Sequence, residues 1–313
     1  MPLTPIIPFE PTSTDIIPDE DNWVAQVKWD GVRVLTYWDG NQVKLYNRKK
    51  NERTFHYPEL LPIQTYCKAK SVILDGEIIS LGSDGKPSFH EVMRRDGVRR
   101  LERVKQVRKD VPICYMIFDV IYCDGQWLTE RSLLERSEIL SRIIVPGEHV
   151  QLVTSHEDAE ALFQVIKEHE MEGIVIKDLS STYLINGKDP RWRKKKFYRD
   201  LIAVVGGVTL RDTIVNSLLL GLFDRDGRLW YIGHAGTGRL TRKDWLELTR
   251  GIKPLIISTM PFANKPSRWK ETIWLKPEIT VKVNFAEWSV GHTLRQPSIQ
   301  AFVDVPPHEC LLP

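Results

Sequence analysis

The 313-residue chain contains no run of about 18 apolar residues, so the sequence offers no membrane span. Its start, Met1-Pro2-Leu3-Thr4-Pro5, has neither a basic stretch nor a long apolar one, so no secretory signal is visible and a cytoplasmic protein is expected. Cysteine is scarce: Cys67, Cys114, Cys123 and Cys310 lack C-x-x-C spacing, which points away from a zinc site or a disulfide framework and toward reduced thiols. Strong charge of one sign is missing too, and a net charge of +3 does not by itself mark a nucleic-acid binder. What remains is an ordinary globular composition in a chain long enough for two domains, at one per ~100 to 200 residues.

One short stretch organises the rest. Lys28-Trp29-Asp30-Gly31-Val32-Arg33 lies where two segments meet, Trp23 to Val27 and Val32 to Trp38, both rich in apolar, β-branched and aromatic residues and read as strands. Lys28 therefore sits at a strand end beside a glycine turn. A lysine amine attacks only when neutral, and its ordinary pKa is about 10.4, so a reactive Lys28 needs burial or cationic company such as Arg33 or a bound metal. The same residues also fit a surface lysine on a hairpin.

Residues 1 to 22 are rich in proline and read as an extended arm. Beyond Lys28, Asp39-Gly40-Asn41 reads as a hairpin turn, and the returning strand from Val43 brings Arg48 near the level of Arg33. Ser71 to Ile79 is a buried-strand pattern that carries Asp75 and Glu77. Carboxylates inside an apolar run are costly unless paired or on a metal, so one of the two is expected to have a task. Residues 90 to 109 hold Arg94, Arg95, Arg99, Arg100, Arg103, Lys105, Arg108 and Lys109 on an expected helix, either a solvated face or a phosphate contact. Val111 to Tyr122 reads as a strand broken by Asp119 after Phe118, a ring that suits either a core or a stacking surface.

Thr129 to Val145 and Ser155 to Glu170 read as amphipathic helices, the second opened by a capping box at Ser155 and Asp158. Glu172-Gly173-Ile174-Val175-Ile176-Lys177 again brackets a short apolar strand with an acid and a lysine. In Arg191-Trp192-Arg193-Lys194-Lys195-Lys196-Phe197, a strand places Lys194 and Lys196 on one face, where they repel unless an anion lies between them. From Leu201 onward, several strands, tight turns and one helix near Thr241 suggest a small β-barrel of the five-stranded nucleic-acid-binding kind, with an SH3-like barrel as the other possibility. The expected division is residues 1–198 and 199–313.

In this order, Lys28 to Arg33, Arg48, Asp75-Gly76-Glu77, Phe118-Asp119, Glu172 to Lys177 and Trp192 to Lys196, the chain resembles the covalent nucleotidyltransferases, most closely ATP-dependent DNA ligases of the bacterial end-joining type. Ala286-Glu287-Trp288 followed by Leu294-Arg295-Gln296-Pro297 looks like the closing barrel segment of those ligases. The resemblance implies an α+β architecture: a mixed α/β nucleotidyltransferase (adenylation) domain, then a small OB-fold barrel. It implies that Lys28 attacks the α-phosphorus of ATP to give lysyl-AMP, that AMP passes to a DNA 5′-phosphate, and that the 3′-hydroxyl of the nick displaces AMP.

By the same resemblance Arg33 and Arg48 hold phosphate and ribose, Glu77 contacts ribose or organises metal, and Phe118 stacks on adenine. Glu172 holds Mg²⁺ or Mn²⁺, and Lys194 and Lys196 grip the α-phosphate. Such transfers depend on positioning and charge stabilisation more than on acid/base groups. Nicked or broken double-stranded DNA is the implied substrate, a Ku-type end-binding protein an implied partner, and a monomer the implied state. An RNA ligase, a capping-type nucleotidyltransferase, or a nucleic-acid-binding scaffold without catalysis are the alternatives. One departure stands out: where such ligases carry a basic Arg-x-Asp-Lys element that orients pyrophosphate, this sequence has Val303-Asp304-Val305-Pro306. Self-adenylylation is thus expected to be slow, or rescued by a cation such as Arg295 or Lys282.

Overall fold

Strand alternation accounts for most of the architecture. The computed structural model describes residues 3–19, 21–236, 238–267, 269–289 and 291–313; residues 1, 2 and 20 of the arm lie outside them. Contacts divide the chain into one unit of Met1–Phe197 and a second of Tyr198–Pro313.

In the first unit the chain runs β1 (Glu10–Ser13), β2 (Trp23–Val27), β3 (Val32–Trp38), β4 (Val43–Asn47), β5 (Val72–Ile79), α1 (Phe89–Asp96), α2 (Val104–Asp110), β6 (Cys114–Cys123), β7 (Gln126–Trp127), α3 (Leu133–Ile143), β8 (Val150–Leu152), α4 (Ala159–Glu168), β9 (Gly173–Asp178) and β10 (Lys188–Lys196). These make two sheets, β4-β3-β5-β6-β7 with β8 alongside β6, and β1-β10-β9-β2. Leu35, Tyr37, Ile73 and Ile121 of the first sheet share one core with Val24 and Trp192 of the second. On the opposite face of the second sheet, Ala25, Ile174 and Ile176 pack under Leu162, Phe163 and Ile166 of α4. Period-two alternation therefore leaves Lys28, Val175, Lys177, Lys194 and Lys196 on the face toward the first sheet.

The arm is more than a spacer. Phe9 is fully buried, its ring 4.8 Å from that of Trp192, and β1 adds a parallel strand to β10. Two helix expectations need correction. The basic segment is not one helix: α1 stops at Gly97 and α2 starts at Val104. Arg95 turns inward, fully buried, with both Glu59 oxygens at 2.7 and 2.6 Å. The cap of α4 is Asp158 alone, whose carboxylate accepts from the Ala161 N–H, while Ser155 accepts from the Gln26 amide. A capping box does open α3, formed by Ser132 and Glu135.

The second unit runs β11 (Arg199–Arg211), β12 (Ile214–Phe223), β13 (Leu229–Ala235), α5 (Arg242–Gly251), β14 (Ile256–Ile257), β15 (Ile273–Phe285), β16 (Glu287–Trp288), β17 (Leu294–Arg295) and β18 (Ser298–Val303). Its main sheet has the order β13-β12-β11-β15-β14, with β18 also on β15. The pairing of β11 with β15 steps from Val205↔Ile279 to Gly207↔Trp274, and Pro277, which cannot donate to a ladder, falls in that step. Its aliphatic core includes Val204, Leu218, Leu220, Val281 and Ile299, closed on one side by Leu248 of α5. Lys282 pairs with Asp200 at 2.7 Å, and Arg295 with Glu287 at 2.7 Å.

Candidate nucleotide site

The loop after β2 delivers Lys28 to the open end of the cleft between the two sheets of the first unit. The Lys28 N–H donates to the Gly173 carbonyl at 2.9 Å, extending the β2–β9 ladder by one residue, and Gly173 in turn faces Lys196 on β10. Gly173 has φ +147, and a Cβ there would meet the Lys195 carbonyl oxygen at 2.2 Å, so only glycine lets the three strand ends converge. Gly31 is equally constrained, its place for a Cβ lying 2.2 Å from the Ile78 carbonyl oxygen.

Convergence brings two lysines onto one acid. Lys28 Nζ lies 2.6 Å from Glu172 Oε2, and Lys196 Nζ lies 2.7 Å from Oε1. Burial opposes charge on Glu172, but Lys28 and Lys196 outweigh it and hold the carboxyl below its ordinary pKa. Lys194, one strand period from Lys196, forms no ion pair among the described residues. Burial together with Lys28, Lys196 and Lys188 lowers its pKa. Two ammonium groups thus share the Glu172 carboxylate with a third lysine, Lys194, close enough to feel both, a concentration of positive charge that an anion relieves.

The first sheet supplies the opposite wall. Arg33 and Glu77 are cross-strand neighbours on β3 and β5. Arg33 grips Asp75 in a two-point fork, Nε to Oδ1 at 2.9 Å and Nη2 to Oδ2 at 2.6 Å, and donates Nη1 to the Phe9 carbonyl at 2.8 Å. Its fork is thereby committed to the protein, and Asp75 keeps the guanidinium charged despite burial. Burial pushes the Glu77 carboxyl up to about 8, partly offset by Lys28 and Arg33 and reinforced by Glu172 and Asp30. Glu77 is therefore mostly protonated near neutrality. Phe118 is half-buried, with the Arg33 guanidinium 5.2 Å from its ring centre. Arg48, exposed just beyond β4, lies 3.3 Å from Glu10 of β1.

The structure thus gathers Lys28, Glu172, Lys194 and Lys196 on one sheet, with Arg33, Glu77 and Phe118 on the other; Arg48 stands at the rim beside the arm. Two supporting groups escape a sequence reading. Arg136 of α3, fully buried, holds Asp119 with Nε to Oδ1 at 2.8 Å and Nη2 to Oδ2 at 3.0 Å. Tyr183 donates its hydroxyl to Asp75 at 2.7 Å. An acid in the apolar run at Asp119 was the only signal that such a partner exists. Among the described residues no cluster of three or more His, Cys, Asp or Glu could hold a metal on its own. Glu172, held charged beside two lysines, fits a hard cation that keeps water and phosphate oxygens for its remaining positions.

Comparison with known proteins identifies the family. Residues 11–196 match the family model described as "ATP dependent DNA ligase domain", and residues 211–304 match "ATP dependent DNA ligase C terminal region". A DNA ligase of Thermococcus onnurineus is 30% identical over 275 residues, which cover 84% of this chain and 47% of that protein. The multifunctional non-homologous end joining DNA repair protein LigD of Mycobacterium tuberculosis is 30% identical over 288 residues, covering 88% of this chain and 35% of that protein. The chain thus spans half or less of these two relatives. The solved structure of mycobacterial DNA ligase D complexed with ATP and MES superposes with a TM-score of 0.55 at 26% identity, covering 98% of each chain. The chain belongs to the ATP-dependent DNA ligase family, with a mixed α+β adenylation domain followed by an OB-like β domain.

Proposed function

We propose that the protein seals 3′-hydroxyl/5′-phosphate nicks in double-stranded DNA, consuming ATP through a lysyl-AMP on Lys28, and that its work is repair or end joining. The observation that carries this reading is the Lys28 amine 2.6 Å from Glu172, whose other oxygen takes Lys196 at 2.7 Å, with Lys194 one strand period away on the same face. Lys28 is the nucleophile: its amine, paired with Glu172 until nucleotide arrives, gives up a proton and bonds to the α-phosphorus as the bond to pyrophosphate breaks. Lys194 and Lys196 receive the α-phosphate, replacing their mutual repulsion with contacts to an anion.

Glu77, mostly protonated, suits a hydrogen bond to a ribose hydroxyl better than a metal. Phe118, half-buried, stacks on adenine with what remains exposed of its ring, and Arg48 at the rim contacts phosphate. Arg33, clamped on Asp75, holds the wall beside ribose. Glu172 is the residue that would hold Mg²⁺ or Mn²⁺ accompanying the nucleotide; the ion supplies charge neutralisation at the phosphates. We assign residues 1–198 to nucleotide chemistry and 199–313 to the OB-fold domain. The reading extends to a monomer acting on DNA in the cytoplasm, at the nucleoid if the cell is bacterial, with a Ku-type end-binding protein as its recruiter; its support is that similar proteins are described as non-homologous end joining proteins.

The test is ATP-dependent sealing of nicked duplexes with DNA or RNA on either side of the nick. Sealing of all-DNA nicks supports the reading. Exclusive sealing of RNA strands, or label transfer from GTP but not ATP, replaces it with an RNA ligase or capping-type enzyme.

A further inference from the structure

Two buried charged forks line the inner end of the cleft, Arg33 with Asp75 and Arg136 with Asp119, and between them sits a lysine with no such partner. Lys177 is 2% exposed, and its Nζ makes no hydrogen bond. The amine lies 4.0 Å from the Trp192 ring centre and 4.5 Å from that of Phe118. The Trp192 indole N–H is also buried without a partner. Register places Lys177 opposite Trp192, on the same face as Lys28, Lys194 and Lys196 but at the far end of the cleft.

Packing alone gives no reason for an amine here. An apolar side chain of similar length fills the slot without the cost of desolvating an ammonium or leaving a donor unpaired. A residue that costs stability where a cheaper one fits points to function. Burial drives the Lys177 amine down to about 7; Asp119 and Asp75 oppose this, and Arg33 and Arg136 reinforce it. Both carboxylates are already committed to arginines, and Asp75 also to Tyr183, so the two rings are what the amine has for company.

We infer that Lys177 is a positioning residue for the nucleobase, wedged against Phe118 so that the other side of that ring is held at the angle at which it receives the purine. This rests on the nucleotide reading above. A cation on one face of an aromatic ring is attracted by its π electrons and drains them from the opposite face. That makes what remains exposed of this half-buried ring a better stacking surface for an electron-rich base, and the Arg33 guanidinium, 5.2 Å from the same ring centre, acts in the same sense. Lys177 touches neither phosphate nor the reacting atoms, so its effect falls on nucleotide affinity and leaves the chemical step alone.

The test uses the full chain, with Lys177→Met as the main variant. Lys177→Met is expected to melt at or above the wild-type temperature, because it removes an unpaired buried amine. Measured at pH 6, where the Lys177 amine is charged, the KM for ATP in lysyl-AMP formation rises about tenfold, a size within the range of a desolvated cation–π contact. The rate at saturating ATP stays within twofold. Inhibition by tripolyphosphate, which carries no base, is unchanged. Phe118→Leu raises the KM similarly, and the double variant goes no further than either single one, since both act through the same ring. Lys177→Arg, which keeps a cation there, retains a KM close to wild type.

The inference is overturned if Lys177→Met melts below the wild type, which makes the amine a packing element. It is equally overturned by an unchanged KM, by weakened tripolyphosphate inhibition, or by effects of Lys177→Met and Phe118→Leu that add. If wild-type protein takes no label from ATP at all, the nucleotide reading itself fails, a result distinct from each of these.

Discussion

Lys28 Nζ and Glu172 Oε2 stand 2.6 Å apart, although the two residues are 144 positions apart in sequence. That pair sits where the ends of β2, β9 and β10 converge, and Glu172 also takes Lys196 at 2.7 Å. If Glu172 is the group that receives a metal, Glu172→Ala flattens the dependence of lysyl-AMP formation on Mg²⁺ or Mn²⁺. Glu77→Ala instead raises the KM for ATP with a normal metal curve. Metal titrations of the two variants distinguish the roles; wild-type metal response in Glu172→Ala places the ion elsewhere.

Stability responds to pH through one half-buried and one buried group with opposite signs. Glu77 titrates near 8 when folded, against about 4.3 for a free side chain, so the native state keeps a proton that the unfolded chain has released. Its contribution is full below about pH 4.3 and is lost as pH rises toward 8. Lys177 titrates near 7 when folded, against about 10.4 unfolded, so its cost grows as pH falls from about 10.4 to 7 and is constant below. Lys28, Arg33, Glu172 and Asp30 act on the first group; Asp119, Asp75, Arg33 and Arg136 act on the second. Melting temperatures from pH 5 to 10 should show Glu77→Gln removing the loss of stability toward pH 8. Lys177→Met should remove the gain above pH 7.

The exposed cations after α1 form a candidate DNA contact. Arg99, Arg100, Arg103, Lys105, Arg108 and Lys109 are exposed, whereas Arg95 anchors the segment through Glu59. Charge reversal at Arg99 and Arg103 should reduce the salt dependence of nicked-DNA binding by about two counterions and leave lysyl-AMP formation intact. Arg95→Ala, by contrast, should destabilise the fold by about 3–5 kcal/mol, because it strands Glu59 as a buried charge. A salt slope unchanged by the reversal shows that the exposed cations are only a solvated face.

If Val303-Asp304-Val305-Pro306 stands where the resemblance leads one to expect a basic element, the first step is either slower than sealing of a pre-adenylylated nick or rescued by a neighbouring cation. The cations considered as substitutes are each held by an acid, Lys282 by Asp200 and Arg295 by Glu287. Single-turnover rates of the two steps in Lys282→Ala and Arg295→Ala decide the matter. A first step as fast as sealing, indifferent to both variants, removes the need for any substitute.

The short motifs were legible in the sequence because each joins a charge to a strand end: Lys28 after Val27, Glu172 before Gly173, Lys194 and Lys196 one strand period apart. What the motifs did not reveal depends on contacts between distant segments. Arg33 read as a phosphate ligand, yet its fork closes on Asp75, a partnership set by the register of β3 against β5. Phe9 read as part of an arm because its neighbours, Tyr183 and Trp192, are far along the chain. Lys177 read as a strand-end cation, and only the rings of Phe118 and Trp192 reveal it as buried. Ser155 and Asp158 matched a capping box by spacing, but Gln26 claims the serine hydroxyl.

The central claim is that Lys28 carries the adenylate. The most direct measurement is covalent transfer of label from [α-³²P]ATP to wild-type, Lys28→Ala and Lys28→Arg proteins, each verified as folded by its melting curve. The account predicts an acid-labile phosphoamide on wild type alone, mapping to the peptide that contains Lys28. Both variants stay unlabelled, since alanine has no nucleophile and a guanidinium does not deprotonate. ATP-dependent labelling of either folded variant to an extent comparable with wild type would contradict it.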